Sequence, residues 1–168
     1  MINMVTIRTA TQKDISLIRS LALQVFPATY QEILSPDQLD YMLEWMYSED
    51  SIRKQMNNGH VYLIASKDDI ACGYASVEQE SDDLFHLQKI YVLPSFQGHK
   101  IGQYLFNKVV SYIKEHHPKP CTMELNVNRS NKAVEFYKRQ GMSIAREGDF
   151  PIGNGYYMND YIMTLSIS

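Results

Sequence analysis

The chain has 168 residues, of which 45% are hydrophobic and 21% charged, with a net charge of −3. This length and balance are typical of one globular domain, and the chain contains no internal repeat, low-complexity tract or linker. No window approaches the ~20 apolar residues of a membrane helix, and the first residues do not form a secretory signal. We therefore expect a single domain over residues 1–168, with no membrane partner and no nucleic-acid partner.

Two cysteines, Cys72 and Cys121, each lie in an apolar run that is typical of a strand. Cysteines in such runs act as small buried hydrophobic side chains in a reducing compartment, which predicts a cytoplasmic protein. No cluster of cysteine and histidine residues has the spacing of a zinc site, so we expect no bound metal.

Charge is distributed unevenly along the chain. Residues 32–83 contain twelve acidic and three basic residues, a balance of −9, whereas residues 84–146 contain three acidic and ten basic residues, a balance of +7. Two interpretations remain open. The charges form two solvated faces, or one half of the chain binds an anion and the other a cation.

The first part of the chain predicts one strand and three helices. A strand is expected at residues 5–8, and Thr11 is a candidate cap for the first helix. The segment Ser35-Pro36-Asp37-Gln38 predicts the start of a second helix, because serine caps, proline fits the first turn and glutamine completes a capping box. A short third helix covers about residues 51–56. The apolar stripes of the first two helices are Ile15, Ile18, Leu21, Ala22 and Val25, and Leu39, Met42, Leu43 and Met46.

Strands dominate the remainder. Alternating apolar patterns predict strands at residues 61–66, 70–79, 84–92, 121–127, 143–146 and 157–165, with helices at about 98–115 and 131–140. A meander of three strands followed by strand–helix–strand units predicts an α/β (α+β) fold, with a mixed sheet and helices packed on its faces.

The most informative segment joins a strand to a helix through Pro94-Ser95-Phe96-Gln97-Gly98-His99-Lys100-Ile101-Gly102. Backbone N–H groups at such a turn, with the positive end of a helix behind them, form an anion site. Gly98 and Gly102 would let a phosphate approach the backbone closely. The segment has neither the P-loop nor the dinucleotide glycine pattern.

This segment resembles the acetyl-CoA motif Gln/Arg-x-x-Gly-x-Gly/Ala of the GNAT acetyltransferases. Gln97 and Gly102 match its first and last positions, and Lys100 replaces the middle glycine. The resemblance implies a GNAT fold, with a twisted, mostly antiparallel sheet of about six to seven strands and helices on both faces. It also implies that acetyl-CoA binds at Ile90, Tyr91, Val92, Gln97, Gly98, His99, Lys100, Ile101 and Gly102, where the backbone of residues 90–92 polarises the thioester carbonyl.

A second segment, from Leu125 to Met142, is similar to the family's later motif. That motif places an asparagine before a helical alanine, an aromatic–tyrosine pair and a Gly-Phe pair. Asn131 lies one residue closer to Tyr137 than the usual asparagine, so Ser130 is the alternative, and both are candidate cofactor contacts. The resemblance implies that Tyr137 is the general acid; without it, Tyr137 would be assigned to the core.

The general base is less clearly indicated. His86 lies six residues before Val92, where some family members place a catalytic glutamate, and neutral imidazole suits this role near pH 7. Glu78 and Glu80 on the preceding strand are rivals. Candidates for the acceptor pocket, each of them also compatible with the core, are Tyr30, Tyr41, Trp45, Tyr47 and Tyr157.

Together these features predict an N-acetyltransferase that moves the acetyl group of acetyl-CoA to a primary amine by direct attack in a ternary complex. The charge split and the final hairpin, which resembles that of polyamine-type members, favour a small cationic acceptor. The alternatives are a non-catalytic CoA-binding module and an enzyme that acetylates a peptide or protein amine. A homodimer is compatible with the sequence.

Overall fold

The computed structural model describes residues 4–168, which form seven strands and five α-helices. The chain also forms two single turns of 3-10 helix, at Gln12–Asp14 and Pro94–Phe96. The elements are β1 (Val5–Thr9), α1 (Ile15–Tyr30), α2 (Pro36–Tyr47), α3 (Glu49–Asn57), β2 (Val61–Lys67), β3 (Ile70–Ser81), β4 (Leu84–Val92), α4 (Ile101–His116), β5 (Cys121–Asn128), α5 (Ala133–Arg139), β6 (Ser143–Gly153) and β7 (Tyr156–Ile167).

Local chemistry sets the first helix starts. Thr11 and Asp14 form a reciprocal capping box. This box caps the start of the 3-10 turn Gln12–Asp14 rather than of α1 itself, and α1 follows directly after that turn. The Ser35 hydroxyl accepts a hydrogen bond from the Gln38 N–H, as expected for the cap of α2. The Gln38 side chain, however, donates to the Tyr157 carbonyl of β7 and thereby ties α2 to the last hairpin.

The strands form one sheet in the order β1-β2-β3-β4-β5-β7-β6. Every neighbouring pair is antiparallel except β4 and β5, which are parallel. This mixed, mostly antiparallel sheet confirms the predicted fold class. The parallel pair is short, because only Leu84, Phe85 and His86 pair with β5, although β4 continues to Val92. The two strands therefore diverge after His86.

Helices cover both faces of the sheet. The face under α4 and α5 is an apolar cluster built around Leu105, Phe106 and Val109. The opposite face packs under α1, α2 and α3 and is rich in tyrosine, with Tyr47, Tyr62 and Tyr74 fully buried. No helix in residues 4–168 is long and apolar enough to cross a membrane.

Two element boundaries differ from the sequence prediction by three residues or more. Helix α4 begins at Ile101 rather than at Gly98, because Gly98 and Lys100 adopt positive φ angles of 86° and 62°, which are outside the helical region. Strand β6 continues to Gly153 through Pro151, since pairing with β7 extends the hairpin and proline is tolerated on an edge strand.

Candidate active site

A cleft of about 600 Å³ opens where β4 and β5 diverge. Beyond His86, the β4 backbone has no β5 partner, so its N–H and C=O groups on that side face the cleft. A register shift opposite Ser76 and Val77 also leaves Gln88 as an extra residue in β4. The lining comprises residues 87–92, 96–98, 100–103, 125–127, 131–133, 136–137 and 139–140, together with Thr29 and Tyr30.

One end of the cleft is a backbone cradle. Within the described chain, hydrogen bonding resumes only where the Tyr104 N–H donates to the Lys100 carbonyl, so the N–H groups of residues 98–103 have no protein partner. They precede a 16-residue helix, whose N-terminus attracts negative charge. The Gln97 amide donates to the Val92 carbonyl at 3.3 Å and braces the turn. This arrangement fits a phosphate group.

Lys100 occupies the left-handed region in which the family's middle glycine is expected. With φ 62° and ψ 17°, it caps α4 without a side-chain hydrogen bond. A left-handed residue other than glycine costs roughly 1–2 kcal/mol. The turn therefore keeps its shape despite the substitution, and the lysine adds a positive charge beside the cradle.

Nine of the eleven predicted cofactor residues line the cleft: Ile90, Tyr91, Val92, Gln97, Gly98, Lys100, Ile101, Gly102 and Asn131. His99 does not line it, because its Nδ1 lies 2.8 Å from Lys67 Nζ on β2. Ser130 is also outside the lining, and its N–H donates to Asn128 Oδ1. Asn131 accepts a hydrogen bond from the Ala133 N–H and so stabilises the start of α5.

Tyr137 lies on α5 and lines the cleft with only 7% of its surface exposed. Burial raises the pKa of its hydroxyl, so the group keeps its proton at neutral pH. A buried, protonated phenol beside the cleft can act as a proton donor.

His86 lies at the closed end of the cleft rather than in its lining. Its Nδ1 is 3.1 Å from Glu80 Oε1 and 3.4 Å from Glu124 Oε1. The rival base Glu78 is engaged elsewhere, since it contacts His60 Nε2 at 3.2 Å and accepts from the Gln88 amide. The structure therefore brings His86 and Glu80 together with Glu124, whereas Glu78 forms a separate pair with His60.

The network contains a possible cation position. Three side-chain atoms that can bind a cation lie within 4.8 Å of one another, one each from Glu80, His86 and Glu124. Arg146 Nη2 already lies 3.6 Å from Glu124 Oε2, so a positive group shares this carboxylate. A small cation or an ammonium group would find acceptor atoms here.

The five aromatic candidates for the acceptor pocket separate into three groups. Tyr30 lines the cleft, and its hydroxyl lies 2.9 Å from that of Tyr91. Tyr47 belongs to the core, where its hydroxyl accepts from Tyr74. Tyr41, Trp45 and Tyr157 lie where α2 meets the β6–β7 hairpin, with Trp45 and Tyr157 about half exposed.

Two buried charged residues were missed by the sequence analysis. Lys89 on β4 donates to Gln55 Oε1 at 2.8 Å and to the Tyr62 hydroxyl at 2.9 Å, and desolvation lowers its pKa to about 7. Asp160 on β7 is 2% exposed, and burial raises its pKa. In the sequence, each of these two residues is a charged residue within a predicted strand. That pattern does not show whether the side chain points into the protein or towards solvent.

Comparison with known proteins places the whole arrangement in context. A family model described as an acetyltransferase (GNAT) domain matches residues 30–147. An uncharacterized N-acetyltransferase of Mycobacterium tuberculosis is 24% identical over 152 residues, covering 89% of this chain and 96% of its own.

Solved structures share the fold. The PaiA N-acetyltransferase of Thermoplasma acidophilum, in complex with coenzyme A, aligns with a TM-score of 0.78 at 22% identity, covering 96% of this chain and 98% of its own. The ribosomal-protein-S18-alanine N-acetyltransferase of Escherichia coli aligns with a TM-score of 0.73 at 19% identity, covering 98% and 95%.

Proposed function

Because this chain belongs to the GNAT acetyltransferase family and is an acetyl-CoA-dependent N-acetyltransferase, we propose that its acceptor is the primary amine of a small cationic molecule. The observation that carries the proposal is the cluster of three carboxylates, Glu78, Glu80 and Glu124, at the closed end of the cleft. The phosphate cradle lies at the other end of β4. An acceptor that approaches the closed end meets negative charge.

The chemistry assigns one role to each of two side chains. Bound acetyl-CoA supplies an activated thioester. An alkyl amine with a pKa near ~10.4 is protonated at pH 7, and freeing its lone pair costs roughly 4–5 kcal/mol. His86 takes the ammonium proton, directly or through one water, and the freed nitrogen attacks the acetyl carbon. As the N–C bond forms and the C–S bond breaks, Tyr137 protonates the departing sulfur. The second amine proton then returns to Tyr137 through solvent, and His86 releases its proton to solvent, so that both side chains are restored.

Charge along the chain supports the cationic acceptor. Residues 32–83, with a balance of −9 from twelve acidic and three basic residues, form α2, α3, β2 and β3. A negative surface raises the local concentration of cations and speeds their arrival. Aromatic groups on α2, such as the half-exposed Trp45, add cation–π contacts worth about 0.5–2 kcal/mol each.

A peptide N-terminus is the second candidate acceptor. The structurally similar Escherichia coli enzyme acts on a ribosomal-protein alanine. In this chain, Trp45 and Tyr157 are exposed large side chains beside the final hairpin and offer a surface for an extended peptide.

The test is a comparison of acceptors at fixed acetyl-CoA. We expect free thiol release and a product 42 Da heavier, about the mass of one added acetyl group in place of hydrogen, with a diamine or triamine preferred over an alanine-starting peptide. Glu80→Gln should raise the KM for the diamine, whereas the exposed Glu115→Gln on α4 carries the same charge change and should not. Preference for the peptide would support the second candidate.

A further inference from the structure

Asp160 is a buried carboxylate with only part of its hydrogen-bonding capacity satisfied. Its Oδ2 accepts a hydrogen bond from Asn126 Nδ2 at 3.3 Å, while its buried Oδ1 has no partner among residues 4–168. The residue is 2% exposed. An unsatisfied buried carboxylate is costly, so its retention needs a reason other than packing.

Strand pairing places Asp160 on the same sheet face as His86. Asp160 lies opposite Asn128 on β5, and residues 124, 126 and 128 share one face of that strand. Glu124 on this face contacts His86. Burial raises the pKa of Tyr30, which lines the cleft, and the nearby carboxylate of Asp160 adds to this shift.

Asn126 stands between this carboxylate and the cleft. His86 and Glu124 form the last pair of β4 and β5, and two residues further along each strand bring Gln88 and Asn126 to about the same height. Asn126 is exposed and lines the cleft. It therefore faces β4 across the gap in which the strands separate.

The hydrogen bond to Asp160 determines how the Asn126 amide is oriented. The Asn126 Nδ2 group donates to Asp160 Oδ2, because only the nitrogen of the amide carries protons to donate. Its Oδ1 then points away from Asp160, and no described residue donates to it. The result is a carbonyl-type acceptor on the cleft wall, fixed by a hydrogen bond to a buried carboxyl group.

We propose that Asn126 Oδ1 binds an N–H of the acceptor amine and that Asp160 is the positioning residue that orients and polarises it. This inference rests on the proposed function and assigns the contact for the reacting nitrogen. An amide oxygen accepts from both the ammonium and the free amine, so the nitrogen stays held after its proton leaves. The buried charge of Asp160 favours a cationic acceptor in surroundings of low dielectric.

The test uses Asn126→Ala, Asp160→Asn and the double variant in the full chain. Asp160→Asn keeps a hydrogen-bond acceptor for Asn126 and removes the charge. We expect both single variants to raise the KM for the amine about tenfold or more, with the KM for acetyl-CoA within about twofold. If Asp160 acts through Asn126, the double variant is no worse than Asn126→Ala alone.

Two matched controls are Asn107→Ala on α4 and Asp82→Asn in the β3–β4 turn, both exposed and outside the cleft lining. An unchanged amine KM in Asn126→Ala, or equal changes in the KM of amine and acetyl-CoA, would overturn the inference while leaving the acetyltransferase proposal intact. Absence of transfer to any amine by the native chain would overturn both. Because Asn126 is exposed, its variant keeps the test decisive even if Asp160→Asn fails to fold.

Discussion

The two faces of the sheet are built differently. The face under α4 and α5 is packed with aliphatic and aromatic side chains, and its functional feature is a turn of unpaired backbone N–H groups. The face under α1, α2 and α3 buries tyrosine hydroxyls and Lys89, and its continuation across β5 and β7 carries Asn126 and Asp160. Backbone N–H groups are available whatever the side chains are. Buried side chains, in contrast, can gain or lose protons, and their pKa depends on their surroundings.

This difference assigns the two substrates to different kinds of chemistry. A phosphate needs only N–H groups and a helix end, which an apolar core holds rigidly. An amine needs a group that removes its proton and a group that holds its nitrogen. The two faces should therefore respond separately to mutation.

Tyr137→Phe should lower kcat by about 10²–10⁴, because general acid catalysis of sulfur departure is lost. The KM for acetyl-CoA should change little, since only the hydroxyl is removed. Tyr112→Phe, a partly buried tyrosine on α4 outside the cleft lining, is the matched control. Steady-state kinetics checks this, and a full kcat where chemistry is rate-limiting would assign Tyr137 to packing alone.

His86→Ala should lower kcat/KM for the amine near pH 7 by roughly a hundredfold and displace the acidic limb of the pH–rate profile. The exposed His116→Ala, at the end of α4, should leave both unchanged. A limb that does not move in His86→Ala would transfer the role of base to Glu78, Glu80 or water.

Lys89 should make the free energy of unfolding depend on pH. Its pKa is about 7 in the folded chain against an ordinary 10.5, so the unfolded chain binds more protons between these values. The free energy of unfolding is therefore highest above pH 10.5, where Lys89 is neutral in both states. It falls as the pH is lowered from 10.5 to about 7, with a slope of up to about 1.4 kcal/mol per pH unit.

The comparison for this effect is Lys89→Met, measured by urea denaturation at several pH values. Methionine fills similar volume without a charge, so the slope between pH 7 and 10.5 should become shallower than in the native chain. Parallel slopes for the two proteins would show that Lys89 is not the group responsible.

Lys100→Gly should have the smallest effect, a stabilisation of about 1 kcal/mol from relief of the left-handed conformation. Lys100→Ala keeps that conformational cost and removes the same charge, so it is the matched control. Both should raise the KM for acetyl-CoA by less than about a hundredfold. A larger loss in both variants would mean that the lysine charge, rather than the backbone, holds the phosphate.

Most of the fold and the phosphate turn were predictable because their signals are local. Gln97, Gly98 and Gly102 lie within six residues, and the apolar periods of the main helices are visible in single segments. The start of α4 was wrong because a lysine at position 100 gives no sign of its positive φ. The end of β6 was wrong because pairing with β7, rather than strand propensity, extends it.

The acceptor side was less predictable because it is assembled from distant strands. Glu124 reaches His86 only through the parallel pairing of β4 and β5, and Asp160 reaches Asn126 only through the antiparallel pairing of β5 and β7. Tyr47 was one of five aromatic candidates, and its burial depends on the packing of α2 against β3. No spacing along the chain encodes these contacts.

The central claim is that the acceptor is bound through negative charge at one end of the cleft and the cofactor through backbone N–H groups at the other. Its most direct test is the salt dependence of kcat/KM for a diamine and a monoamine of matched length. Electrostatic attraction by the carboxylate cluster should fade as the Debye length shortens from about 10 Å at 0.1 M salt to about 3 Å at 1 M. We predict that kcat/KM falls with salt more steeply for the diamine than for the monoamine. Equal responses of the two amines, or preference for an acidic acceptor, would contradict the account.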